Sequence, residues 1–266
     1  MAKKKKPGIC KLTGQPGFFV DSHIIPLSLT RLSNSGEKVV EAQLDTPKRL
    51  RFNGWYDNEL VVRAGEDILA AIDSDAILLL RENQLIWGSF SEANPPLNLV
   101  RNEGEYLPHR RLALGDAREL RLFFLSLLWR AAASSRLEFK EIHLSDHLLQ
   151  ALKRKVLAKD PGPPADFPIQ LFQIITVGSK HNRSPILEKK PVLGHNGEIK
   201  GTAVYVRFYL DGLVAHVHVS LDCEIPPEYL ATCLGSLPHT IVFAHTFEQS
   251  RTYGNILELV ANQGNL

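Results

Sequence analysis

Cysteine is scarce in this chain. Cys10, Cys223 and Cys233 are the only three in 266 residues, too few and too scattered for a disulfide framework, and no apolar stretch stands at the N-terminus. Both features fit a reducing cytosol, and a cytoplasmic protein is expected. Net charge is small as well, at +2, which excludes a strongly basic protein that coats nucleic acid. The one concentration of like charge is Lys3, Lys4, Lys5 and Lys6, a cationic arm able to touch phosphates or to stay solvated. Long apolar runs are also missing. The longest, Leu122 to Trp129, is broken by Ser126 and flanked by Arg121 and Arg130, far short of the roughly 20 residues that cross a bilayer. It reads as a buried helix, and no membrane partner is expected. There is no internal repeat and no glycine loop of the phosphate-cradling kind.

What is present falls into three stretches. Up to about residue 92, turn signals at Gly14 and Gly17 precede a short strand at Phe18 to Val20, and Pro26 stops it. Arg31 to Leu50 is polar and reads as loop. Apolar spacing over Leu60 to Asp73 predicts a helix, and Ser74 is placed to cap a second one from Asp75 to Asn83, followed by a strand-like Leu85-Ile86-Trp87. Asn94 to Pro108, with Pro95, Pro96 and Gly104, has the composition of a linker. Asp116 and Glu119 then form a capping pair for a helix reaching Ser134, whose Arg118, Arg121 and Arg130 are expected to extend to water. Leu137 to Leu144 reads as a strand, and Ser145 caps a helix that ends at Asp160-Pro161-Gly162.

The last third is β in character. Asp211-Gly212 lies between two alternating runs and favours a two-residue hairpin turn. Pairing outward puts Val206, Phe208, Leu210, Leu213, Ala215, Val217 and Val219 on a core face. Tyr205, Arg207, Tyr209, His216 and His218 fall on the other, taken as exposed. Strands are also expected at Thr240 to His245 and at Asn255 to Val260.

The segment FFVDSHIIPLSL sets His23 between a strand-like run and Ile-Ile-Pro. Together with CKLTG, WYDNELVVRAGEDILAAID and LFFLSLLWRAAASS, it resembles a group of bacterial HNH-related nucleases with a Ser-His-Ile-Ile-Pro core, associated with antiphage defence. The resemblance covers about half of the chain. It implies an N-terminal HNH-like ββα unit over 1–92; with the patterns read above over 109–266, a helical segment and a C-terminal antiparallel hairpin or sheet region, the expected architecture is α+β. It also implies His23 as general base, with later ligand and orienting positions resembling Glu66 and Asp73. Those two are seven residues apart, two turns along one helical face. Such oxygen ligands suit magnesium or manganese.

The likeness departs from the family pattern in two places. The four zinc thiolates reduce to Cys10, with Thr13, Val62 and Gly65 at the other positions. No structural zinc is expected, and Trp55, Tyr56 and Val62 are candidates to fill its place by packing. Ser22 stands where a metal-binding aspartate commonly precedes the histidine. Two functions remain: a metal-dependent endonuclease on DNA or RNA, or a degenerate fold that binds nucleic acid or a protein partner of a defence system. His216-x-His218, with His239 or His245, is a weaker metal candidate, because Arg207 opposite His216 repels a cation.

Overall fold

The computed structural model describes residues 6–30, 39–43, 46–51, 54–96, 99–100, 108–178, 182–251 and 253–254. β1 (Pro7–Ile9) and β2 (Pro16–Phe18) form a small antiparallel hairpin around Gly14, whose φ of 75° suits a residue without a Cβ. β3 (Ser22–His23) follows. The chain then runs through a 3-10 turn at Leu27–Leu29 and the antiparallel pair β4 (Val39–Gln43) and β5 (Thr46–Arg51). It returns as β6 (Tyr56–Asp57), which pairs with β3 so that His23 lies opposite Tyr56. Part of the stretch expected as loop is therefore an antiparallel strand pair.

α1 (Arg63–Glu82) is one helix of 20 residues where two were expected. Ser74 does not cap: its hydroxyl donates back to the Ala70 carbonyl at 2.8 Å, so the helix passes through it. Gly65, Leu69, Ile72, Ala76 and Leu80 make the buried stripe. Leu85-Ile86-Trp87 is not a strand either, but leads into a 3-10 turn at Trp87–Ser89.

The remaining elements are β7 (Leu99–Val100), β8 (His109–Leu112), α2 (Arg118–Ala133), α3 (Asp146–Ala158), β9 (Ile169–Ile174), β10 (Ile186–Leu193), β11 (Ile199–Leu210), β12 (Leu213–Leu221), α4 (Pro227–Ala231) and β13 (Thr240–His245). Leu137 to Leu144, expected as a strand, holds a 3-10 turn at Leu137–Phe139. Ser145 accepts from the Leu148 amide and caps α3. The strand expected at Asn255 to Val260 lies outside the described residues.

The strands from β7 onward form one sheet in the order β10-β11-β12-β9-β13-β8-β7, antiparallel throughout except for β13 beside β9. β11 and β12 join through Asp211 and Gly212, with φ of 49° and 89°, the positive values of a two-residue hairpin turn. Trp87 closes over this turn. Its amide donates to the Asp211 carbonyl at 2.7 Å and its indole to the Ile174 carbonyl at 2.8 Å, tying the first part of the chain to the sheet.

α2 is the central element. It contacts α1, α3 and β12, and every residue from Leu120 to Ala131 is buried. Arg121 and Arg130 are thus a correction: they do not reach water, being 6% and 1% exposed, whereas Arg118 does, pairing with Asp160 at 3.2 Å. Apolar neighbours allow this because each buried guanidinium finds oxygen partners. One continuous core runs from Cys10 and Ile24 through Leu128 and Trp129 to Phe208 and Val242, so residues on both sides of 92–109 share it. The protein is α+β. Among the described residues no helix is long and apolar enough to cross a membrane.

Candidate functional site

The β1–β2 turn and the start of α1 meet at a sulfur. Cys10 is 1% exposed, and its Sγ accepts from the Thr13 amide at 3.3 Å. A Cβ placed on Gly65 would stand 2.8 Å from that sulfur, so the helix backbone packs directly on it. Val62 is buried and covers Gly17, bridged through its backbone to Phe19. The positions Cys10, Thr13, Val62 and Gly65 are thereby close in space. They do not fit a zinc ion, because one sulfur beside a methyl-bearing, a branched and a bare backbone position is not a tetrahedral donor set. Burial raises the Cys10 thiol, but hydrogen bonds from Thr13, Val62 and Leu12 outweigh it and lower the pKa below the usual thiol value. Trp55, also buried, packs edge-on against Phe139 with centroids 6.3 Å apart.

His23 is half-buried, with its ring 6.4 Å from that of Tyr56. Its backbone carbonyl accepts from Arg130 Nη1 at 3.0 Å. The same guanidinium grips Asp73 in a bidentate pair, Nη1 to Oδ2 at 2.9 Å and Nη2 to Oδ1 at 2.5 Å, and donates to Ser126 Oγ at 2.9 Å. With Asp73 only 16% exposed, both of its oxygens face a cation the protein already supplies. Asp73 is not the solvent-facing helix residue that its surroundings in the sequence suggest.

Glu66 is half-buried; its Oε2 and the hydroxyl of the fully buried Ser22 have no hydrogen-bond partner among the described residues. Among those residues no three His, Cys, Asp or Glu side chains group to hold a metal. Asp73 is thus taken up by Arg130, whereas Glu66 Oε2 keeps no partner among the described residues. A residue the sequence reading passed over is Asp57, opposite Ser22 in the β3–β6 pair. It is 3% exposed and accepts from Ser134 Oγ at 2.7 Å and the Glu59 amide at 2.8 Å, joining the hairpin to the end of α2. Of the lysine arm only Lys6 is described, and it pairs with Glu59 at 2.8 Å.

The second face of the β11–β12 hairpin is covered, which corrects the exposed face expected for His216 and His218. His218 is 1% exposed: Nδ1 lies 2.7 Å from the Pro168 carbonyl and must donate to it, so Nε2 accepts from the Tyr229 hydroxyl at 2.7 Å. Burial pushes its pKa down to about 3. His216 is sandwiched between Phe172 and Tyr205 at 4.5 and 4.3 Å, and its Nδ1 is 3.4 Å from Lys190 Nζ. Burial, then the Lys190 charge, push His216 down to about 2.

Lys190 itself lies over the rings of Tyr205, Tyr229 and Phe172 at 5.0, 5.5 and 5.8 Å. Burial lowers it to about 8, while the three π-faces favour the charged form. Three of the four ring nitrogens of His216 and His218 thus face Lys190, Tyr229 and a carbonyl. Nothing in the sequence marks Lys190 as special; the register, with Lys190 opposite Ala203, brings it to the cage.

No family model matches this chain, no curated protein matches it, and no solved structure matches its fold.

Proposed function

We propose that this chain is a nucleic-acid-associated protein whose N-terminal part is a degenerate HNH-like unit, retained for binding rather than for cleavage, in a bacterial antiphage setting. The order of small hairpin, interrupted β3–β6 pair and long helix, with Cys10 against the start of α1, supports the likeness. The observation that carries the non-catalytic reading is the Arg130–Asp73 pair. A carboxylate held by a buried bidentate guanidinium gives up that partner only at a cost of several kcal/mol, on the order of 3–5, so it is a poor metal ligand. The alternative, an active endonuclease with His23 as general base, draws its support from Glu66, whose buried Oε2 has no partner among the described residues.

Binding is tested by fluorescence anisotropy with single-stranded and duplex DNA and RNA across a salt series. Salt-sensitive retention that weakens when Lys3, Lys4, Lys5 and Lys6 are all changed to Gln is the expected result. A purified chain that holds none of these at low salt contradicts the binding reading.

A further inference from the structure

The outer face of the sheet carries a cavity of about 550 Å³, inside the ~300–1,000 Å³ range of small-molecule sites. One wall is cationic. Arg183, Arg207 and Arg251 line it, and the acid among them is Glu188, 3.5 Å from Arg207 and 3.0 Å from Arg251, with the Tyr205 hydroxyl donating to it at 3.0 Å. Arg183 has no ion pair among the described residues; burial and then the Arg207 charge lower its pKa to about 10, which the Glu188 charge partly offsets. Among the described residues, three positive charges against one leave a surplus of two; Arg183 and Arg207 are half-buried, where repulsion is less screened, and Arg251 is exposed. A terminal phosphate monoester carries about that charge at neutral pH and matches the planar donor forks of guanidinium groups.

The other wall is aromatic. Phe172, His216 and Tyr205 follow one another with centroids 4.5 and 4.3 Å apart and planes tilted by 41° and 33°, and all three line the cavity. Lys190, donating to His216 Nδ1, fixes the ring proton on Nε2, which makes His216 a hydrogen-bond donor that stays neutral. Aromatic rings beside a cationic groove are the arrangement on which nucleobases stack.

We propose that this cavity binds a nucleoside bearing a terminal phosphate, with the phosphate on Arg183, Arg207 and Arg251 and the base against Phe172, Tyr205 and His216. The ligand is a free mononucleotide or the phosphorylated end of a strand. The site stands on the C-terminal sheet alone and does not rest on the reading of the N-terminal unit.

Isothermal titration of the full chain tests it, with AMP, GMP, CMP and UMP, with adenosine, with inorganic phosphate, and with a short single-stranded oligonucleotide carrying a 5′-phosphate or a 5′-hydroxyl. The expected result is that at least one phosphorylated probe binds, and roughly tenfold or more tighter than its unphosphorylated counterpart and than inorganic phosphate. Arg183→Ala is expected to weaken that binding by roughly tenfold or more, with an unchanged Tm, since Arg183 has no ion pair among the described residues. Preference for the mononucleotide assigns a free ligand, and preference for the 5′-phosphorylated oligonucleotide assigns a strand end. Arg251→Ala, at an exposed side chain, gives a second reading should Arg183→Ala fail to fold. The proposal is overturned if no phosphorylated probe binds below millimolar concentration, if the phosphate makes no difference, or if neither arginine variant alters affinity.

Discussion

The N-terminal unit and the C-terminal sheet treat their charged residues in opposite ways. Around β3, β6 and α1, acidic and thiol groups are engaged in holding the fold: Asp73 by Arg130, Asp57 by Ser134, and Cys10 by the Gly65 backbone. On the sheet, Arg207 and Arg251 share one glutamate at the rim of a cavity, and Arg183 beside them has no ion pair among the described residues. A buried charge with a matched partner indicates structure, because leaving it unmatched is costly. A surplus of one sign beside a void indicates a ligand. The histidine motif and the arginine-lined cavity thus lie in different parts of the molecule.

The sharpest way to break this comparison is Arg130→Ala. It strands Asp73 and also removes the donors to Ser126 and to the His23 carbonyl, so a loss of about 3–5 kcal/mol is expected in chemical denaturation. Asp73→Asn together with Arg130→Met should recover part of that loss, since an unmatched charge then no longer remains. If Arg130→Ala leaves stability unchanged, the pair is not structural.

Acid should act next most strongly, and on the sheet. His218 has a folded pKa of about 3, below the ~6.5 of an unfolded chain. Above pH ~6.5 both states hold it neutral and its contribution is complete. Below that, the unfolded chain takes up a proton that the folded one refuses, so stability falls by up to about 1.4 kcal/mol per pH unit until the folded pKa is reached. Denaturation at pH 7 and pH 5 checks this, and His218→Gln should flatten the slope. A wild-type stability that does not change between those pH values contradicts the buried neutral histidine.

Gly65→Ala probes the sulfur contact in the N-terminal unit. The new methyl meets Cys10 Sγ at 2.8 Å and Val61 Cβ at 3.0 Å, and an overpacking loss of roughly 1–3 kcal/mol is expected. Cys10→Ala in the same chain should relieve part of it, whereas a pair of strictly additive changes would mean that the two residues do not touch. The smallest effect is at Ser145, whose long 3.4 Å cap bond makes Ser145→Ala worth about 0.5–1 kcal/mol.

Local chemistry made part of this fold legible. The Asp211-Gly212 turn follows from the positive φ values that two-residue hairpins require, the Ser145 cap from its hydroxyl, and the buried character of α2 from the run Leu122 to Trp129. Features that depend on distant partners were not legible. Ser74 looks like a cap until its hydroxyl is found bonding backwards within a continuous helix. Arg130 looks like a solvated side chain until Asp73, 57 positions away in sequence, is brought beside it. The cavity arginines come from three separate segments, and nothing in their spacing announces that they meet.

The central claim is that the N-terminal unit holds Asp73 for the fold and not for a metal, and plasmid cleavage is its most direct test. Wild type, His23→Ala and Asp73→Asn are incubated with DNA and magnesium or manganese while their melting temperatures are followed. No divalent-dependent cleavage by any of the three is expected, with a lowered Tm for Asp73→Asn alone. Cleavage by wild type that disappears in both variants, with melting temperatures unchanged, would contradict it.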